Sequence, residues 1–326
     1  MTRHPPSSCA EVENRQAPAQ GRGDGEYLTR PASPPHRLAF PALILGNVAL
    51  AFGPWLVRLA DVGPVAAGFW RLALALPFLL VVGHLAGQPA HWPRRTLVVI
   101  IAAAAIFYSL DLAAWNAGIL MTKLANATMF GNSGSFVFAI YGLVLARRAP
   151  SLKQSLALIM AIGGAALLMS GSYELSPNNF AGDLLTLVAG LFYGGYLIFV
   201  ERGRTELKPL PLLILATAFS VPILLVISAG LGETIWPHDW TPLLIFALSS
   251  QVLGQGLLVY SIGTLPPLVV GLGLLTQPVI SATVGWLAYG ETLSARDFIG
   301  AAAIGLALIV VRLPDRGLRA CDEPPS

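Results

Sequence analysis

Charge is what this chain has least of. Only 11% of its 326 residues are Asp, Glu, Lys or Arg, against about a quarter in water-soluble domains, so few long stretches are built to face water. Cysteine is scarcer still. Cys9 and Cys321 are the only two, and neither has a Cys or His neighbour at metal-ligand spacing, which excludes a disulfide framework and a zinc site. No GxxxxGK[ST] loop is present, so the chain is not itself an ATP-driven pump, and no HExxH points to a metalloprotease. Residues 1–36 hold no apolar run of signal-peptide length; rich in Pro, Ser and Gly, they predict a disordered tail and no cleaved secretory signal. The net charge of +3 sits in short clusters between apolar stretches. Basicity of that kind suits a membrane surface and gives no case for nucleic acid.

What remains is overwhelmingly apolar: 55% of the chain, with a mean hydropathy of +0.68. From Leu38 onward, stretches of about 20 residues, the length that crosses a ~30 Å hydrocarbon core as a helix, alternate with short polar connectors. Ten such spans are expected, over 38–57, 65–82, 97–117, 125–145, 154–171, 182–200, 210–230, 241–262, 267–288 and 296–312. Strands of a barrel would be half as long and alternating. With the N-terminus inside, sixteen Lys and Arg fall on the cytoplasmic side and three (Arg58, Lys123, Arg296) outside. Cytoplasmic loops retain positive charge, so both ends are predicted to be cytoplasmic.

Ten spans invite a search for duplication. An ungapped offset of 144 residues lays span four on span nine and Gly134 on Pro278. Five spans per repeat is an odd number, so the second copy must enter the membrane upside down. The expected fold class is therefore all-α integral membrane, ten transmembrane helices as two inverted five-helix repeats. Its expected parts are the tail 1–36, repeats at 37–172 and 173–312, and a second cytoplasmic tail at 313–326.

The run Gly182-Asp183-Leu184-Leu185, continuing through Gly190-Leu191-Phe192-Tyr193 to Tyr196, resembles the start of the second half of EamA-type proteins in the drug/metabolite transporter superfamily. Gln277-Pro278 followed by Gly290-Glu291-Thr292-Leu293-Ser294 is similar to that family's proline-containing ninth helix and its Gly-Glu turn, and Arg71 matches an arginine common in its second helix. The first half differs, with Arg147 where a glutamate is usual and Gly134 where a proline is usual. The resemblance implies a secondary transporter of small metabolites such as amino acids, more often exported than imported, with no cofactor.

Two ionisable residues stand out inside the spans. Such a group costs a few kcal/mol in hydrocarbon, so it needs a partner, water or a function. Arg71 and Asp111 each lie six residues inside the outer end of consecutive antiparallel spans, about 9 Å deep at 1.5 Å per residue. Equal depth predicts that they meet, as a structural ion pair or as a gate. The 144-residue offset also superposes Asp111 on Gln255 and Ser133 on Gln277. With Asn132 beside Ser133 and Gln251 one turn before Gln255, these residues are candidates to line a cavity for a polar or zwitterionic solute; the plainer reading is hydrogen bonding between helices. Gly134 and Pro278 fall inside spans, where they break helices or allow close packing, and Glu291 joins Arg71, Gly134 and Pro278 as a structural or gating candidate. Six tryptophans, Trp115 among them, fall near the predicted outer boundary and read as an interfacial belt.

A different function class also fits one motif. Gly131-Asn132-Ser133-Gly134 resembles the G-x-S-G of intramembrane serine proteases. A serine nucleophile needs a base in hydrogen-bond reach, and the five histidines all lie in tails or connectors. The expectation is thus a ten-helix secondary transporter of the inner or plasma membrane, whose partners are a small solute and the lipid bilayer. A homodimer stays open.

Overall fold

The computed structural model describes residues 37–122, 124–146, 150–170, 177–289 and 295–312. The tails expected at 1–36 and 313–326, and Glu291, lie outside these residues.

Helices account for the described chain, with no strand among the described residues. A backbone in hydrocarbon must satisfy its own N–H and C=O groups, and a helix does so within one segment. In chain order the helices are α1 (Ala39–Ala51), α2 (Gly53–Leu59), α3 (Pro64–Leu85), α4 (Arg95–Met121), α5 (Leu124–Gly131), α6 (Ser133–Ala146), α7 (Leu152–Ser170), α8 (Pro177–Arg204) and α9 (Pro209–Gly230). Then α10 (Thr241–Phe246) runs through a π-helical segment (Ala247–Gln255) into α11 (Gly256–Ile262), followed by α12 (Pro267–Leu274), α13 (Thr276–Tyr289) and α14 (Ala295–Arg312). Prolines open α3, α9 and α12 at the first helical position, where the missing N–H costs nothing and the fixed φ suits the helix.

Among the described residues, seven helical stretches are long and apolar enough to cross a membrane: Ala39–Leu59, Pro64–Leu85, Arg95–Met121, Phe180–Arg204, Pro209–Gly230, Thr241–Ile262 and Pro267–Ala288. The expectation was ten. Span four is the instructive shortfall, because it breaks at Asn132 into α5 and α6 and neither piece is long enough alone. The Asn132 side chain takes the Thr128 carbonyl at 2.6 Å, and Ser135 N–H turns back to the Asn132 carbonyl three residues away. Such local side-chain bonds compete with the regular helical ladder. The stretches expected as spans five and ten form helices α7 and α14, which are not among those seven and pack on each other.

The longest contact runs between α4 and α8, where Thr122 donates to the Asp183 carboxylate at 2.7 Å. One large apolar core, including Leu43, Leu72, Ile101, Phe138, Leu197 and Leu258, joins helices from both halves. Small residues let backbones approach. A Cβ on Gly134 would strike the Gly190 carbonyl and the Gly194 nitrogen of α8, and one on Gly46 would come within 3.0 Å of the Gly254 carbonyl, the close packing that membrane helices use in place of a hydrophobic drive.

Candidate functional site

Four irregularities lie around one cavity. The helix breaks at Phe52, Asn132 and Leu275 and the π-helical segment interrupt the spans, and the cavity touches residues beside or within each: Leu50, Asn132, Gln277, Ser250 and Gln255. Broken and π-helical segments recur where a membrane protein handles a ligand. In the π-helical stretch the i→i+5 pattern brings Ser250 and Gln255 onto one face. The cavity is small, about 50 Å³, with room for a few waters.

Arg71 and Asp111 both line it, but they do not form the expected ion pair among the described residues. Arg71 is 3% exposed and donates instead to the Tyr108 hydroxyl at 3.0 Å. Its guanidinium also sits 5.0 Å from the centre of the Phe246 ring, a cation–π contact. Its Nε is buried without a partner. Asp111, 8% exposed, makes no hydrogen bond among the described residues. The pairing fails because Tyr108, one helical turn before Asp111, intercepts the guanidinium.

Tyr108 is the hub that the sequence reading missed. Its hydroxyl accepts from Arg71 and donates to Gln251 Oε1 at 2.6 Å, while Gln251 Nε2 reaches Thr217 at 2.9 Å. The ring stacks on Tyr196 at 4.5 Å. Gln251 is therefore buried behind the cavity and supports Tyr108 rather than lining the space. Tyr193 and Trp115 do line it, a place at the cavity wall that the interfacial reading of Trp115 did not foresee. The signal for Tyr193 was present: it lies in the Gly190-Leu191-Phe192-Tyr193 run, which marked the family but not the site.

Asn132, Gln255 and Gln277 reach the cavity as expected; Ser133 does not. Its hydroxyl points to α8, 3.5 Å from the Leu187 carbonyl. Gln277 is steered by Asn47, another residue the sequence reading overlooked: Gln277 Nε2 donates to Asn47 Oδ1 at 3.2 Å, and Asn47 Nδ2 donates to the Gly273 carbonyl at 2.7 Å, freed by the break at Leu275. Gly134 acts in packing, as described above, and Pro278 lies in the first turn of α13 just past that break, where proline is tolerated. No cluster of three His, Cys, Asp or Glu suited to a metal occurs among the described residues. The protease alternative gains no support, since His84, His91 and His238 are exposed and Ser133 faces a main-chain carbonyl.

Comparison with known proteins fits this geometry. Residues 180–313 match the EamA-like transporter family, and the threonine/homoserine exporters RhtA of two Salmonella typhimurium strains, SL1344 and LT2, are each 22% identical over 259 residues, 76% of this chain and 84% of theirs. The second half of the chain carries an EamA-like transporter domain. A solved crystal structure 16% identical in sequence shares the fold, with a TM-score of 0.66 over 84% of this chain and 95% of that one. The protein is thus a multi-pass membrane protein whose cavity joins both halves of the sequence.

Proposed function

We propose that the protein exports a small zwitterionic metabolite of the amino-acid class by alternating access, with Arg71 and Asp111 receiving its two charges. The observation that carries this reading is a pair of residues of opposite charge type, both buried, both on one cavity, with no salt bridge between them. A buried charge without a counter-ion is costly, and a solute bearing a carboxylate and an ammonium offsets both costs at once. Arg71 keeps donors free for a carboxylate and Asp111 keeps acceptors free for an ammonium. Asn132, Gln255 and Gln277 supply neutral polar contacts, and Trp115 and Tyr193 supply apolar wall.

A space of about 50 Å³ is well below the ~300 Å³ of ordinary ligand pockets, so loading requires the helices to part. The proposed framework is ten spans in two inverted repeats, both termini cytoplasmic. Helix ends support it: shifted by 144, Pro64–Leu85 becomes 208–229, beside the observed Pro209–Gly230, and Leu152–Ser170 becomes 296–314, beside Ala295–Arg312. The break at Asn132 shifts to 276, next to the break at Leu275. Rocking such repeats about a shared site exposes it to each side in turn.

The test is flux of a labelled amino-acid panel, threonine and homoserine included, through proteoliposomes of the purified protein without ATP. Arg71→Ala and Asp111→Ala should each lower flux about tenfold or more, a loss of about 1.4 kcal/mol of solute contact. Absence of flux across the panel, or wild-type flux in both variants, would sink the proposal.

A further inference from the structure

Away from the cavity, the ends of α3 and α9 carry one device twice. The two helices pack along each other in opposite directions, since Gly83 near the end of α3 meets Ile214 near the start of α9. Each leaves through a glycine at positive φ, Gly87 at 63° and Gly232 at 68°, a conformation glycine adopts freely. The closing bonds correspond one for one. Gly87 N–H bonds the His84 carbonyl and Gln88 N–H the Gly83 carbonyl; Gly232 N–H bonds the Ala229 carbonyl and Glu233 N–H the Ser228 carbonyl. Both connectors then continue to a Trp-Pro pair, Trp92-Pro93 and Trp236-Pro237, which are 144 residues apart.

Their conditions differ. The 231–240 connector is fastened across the start of α3. The Glu233 carboxylate accepts from Val65 N–H at 3.3 Å and Ala66 N–H at 2.8 Å, satisfying donors that the first turn of a helix leaves over, at the end where its dipole favours negative charge. Gly63 N–H bonds the Thr234 carbonyl, Trp70 Nε1 bonds the Ile235 carbonyl at 2.6 Å, and Asp61 takes the His238 and Asp239 amides. The Trp236 ring rests 5.3 Å from that of Trp70.

Among the described residues the 86–94 connector shows no such hydrogen bonds across to the start of α9, although the Trp92 ring lies 6.0 Å from that of Phe219. Gln88, which follows its glycine as Glu233 follows Gly232, keeps its Oε1 buried and unpartnered. Leu207, the counterpart of Gly63, turns its N–H back to the Gly203 carbonyl, and Trp92 is 76% exposed. An open groove of about 450 Å³ separates His91, Trp92 and Arg94 from Glu206 and Leu207. Because α9 begins Pro209-Leu210-Pro211, Leu210 N–H is the donor that Gln88 Oε1 would take if this connector closed.

We propose that the two connectors are the paired straps of the transport gate, fastened in alternation, and that Glu233 must leave the start of α3 in each cycle. The inference rests on the transporter reading and assigns it a moving part outside the cavity. The fastened strap can be locked covalently, since Asp61 Oδ2 and His238 Nδ1 already lie 3.3 Å apart. Asp61→Cys with His238→Cys, in a chain carrying Cys9→Ser and Cys321→Ser, is bridged by a short bis-methanethiosulfonate reagent and checked by loss of free thiols. Flux of the labelled amino-acid panel is then read before bridging, after bridging and after reduction. A working gate loses flux about tenfold or more on bridging and regains it on reduction, whereas unchanged flux in the bridged protein overturns the strap and leaves the transporter reading standing. No flux in the unaltered protein rejects that reading instead. Should only the double variant be inactive, thiol labelling of Thr234→Cys decides without any solute. Glu233→Gln, which removes the charge that holds the strap, should raise its labelling rate several-fold, and an unchanged rate overturns the strap.

Discussion

The two broken helices, α5/α6 and α12/α13, occupy matched places in the sequence, yet only the second is opened to the cavity by a polar side chain from elsewhere. At the first break the loose groups are absorbed locally. Asn132 bonds back to Thr128, Ser133 turns to the Leu187 carbonyl, and Gly134 lies against the backbone of α8. At the second, Asn47 crosses from α1 to take the Gly273 carbonyl and to orient Gln277 at the cavity wall. At both breaks a polar side chain reaches the cavity, Asn132 held by a bond within its own segment at the first and Gln277 held by Asn47 from another helix at the second. The places of the two breaks correspond more closely than the bonds that hold their polar groups.

The strongest way to break this contrast is at Gly134. Gly134→Leu forces a side chain into the Gly190 and Gly194 backbone, which cannot withdraw as a flexible side chain would. Overpacking of this kind costs about 3 kcal/mol, and the variant should lose most folded protein when heated in detergent and read by size-exclusion chromatography. Next in size are Asn47→Leu and Gln277→Leu. A hydrogen bond between membrane helices is worth about 0.6 kcal/mol, so thermal stability should fall little while amino-acid flux falls about tenfold. Comparable loss of folding in both would reassign the second break to packing. Smaller again is Ser133→Ala, which removes a 3.5 Å contact to a carbonyl. Flux should stay within about twofold of wild type, a change of under 0.5 kcal/mol; a large drop would place Ser133 at the site after all.

Much of this architecture was legible in the chain. Apolar stretches near 20 residues marked the seven helical stretches long enough to cross a membrane among the described residues, because length and composition are properties of a segment alone. The site was legible only in part. Arg71, Asp111, Asn132, Gln255 and Gln277 stood out as polar groups in apolar surroundings, and all five reach one cavity. Direction was the hidden quantity. Ser133 and Asn132 are adjacent yet face different neighbours, since the break between α5 and α6 separates them, and helical periodicity cannot be carried across it. Tyr108 was concealed for another reason: an aromatic residue in an apolar span looks like core until a guanidinium is found on its hydroxyl. Counting Asp111 against Arg71 by depth put both on one cavity but gave the wrong bond.

The smallest expected effect concerns which atoms hold the fastened strap at Asp61. Its carboxyl is held below the usual value of 3.8, chiefly by the His238 main-chain N–H and with further help from the Asp239 amide, while the imidazole contributes least. An acid with a lowered pKa in the folded state contributes stability above its unfolded value and loses it as pH falls through the folded one. The strap should therefore be indifferent to pH from neutrality down to about 4, and loosen only in stronger acid. His238 is almost wholly exposed, at 92% for the side chain, and exposed ion pairs contribute little. Hydrogen exchange at the 238 and 239 amides separates the two contributions. His238→Ala keeps both amide donors and should leave their protection near wild type, whereas Asp61→Ala removes the acceptor and should expose them. Equal loss of protection in both variants would mean that the imidazole, and not the main chain, fastens this end of the strap.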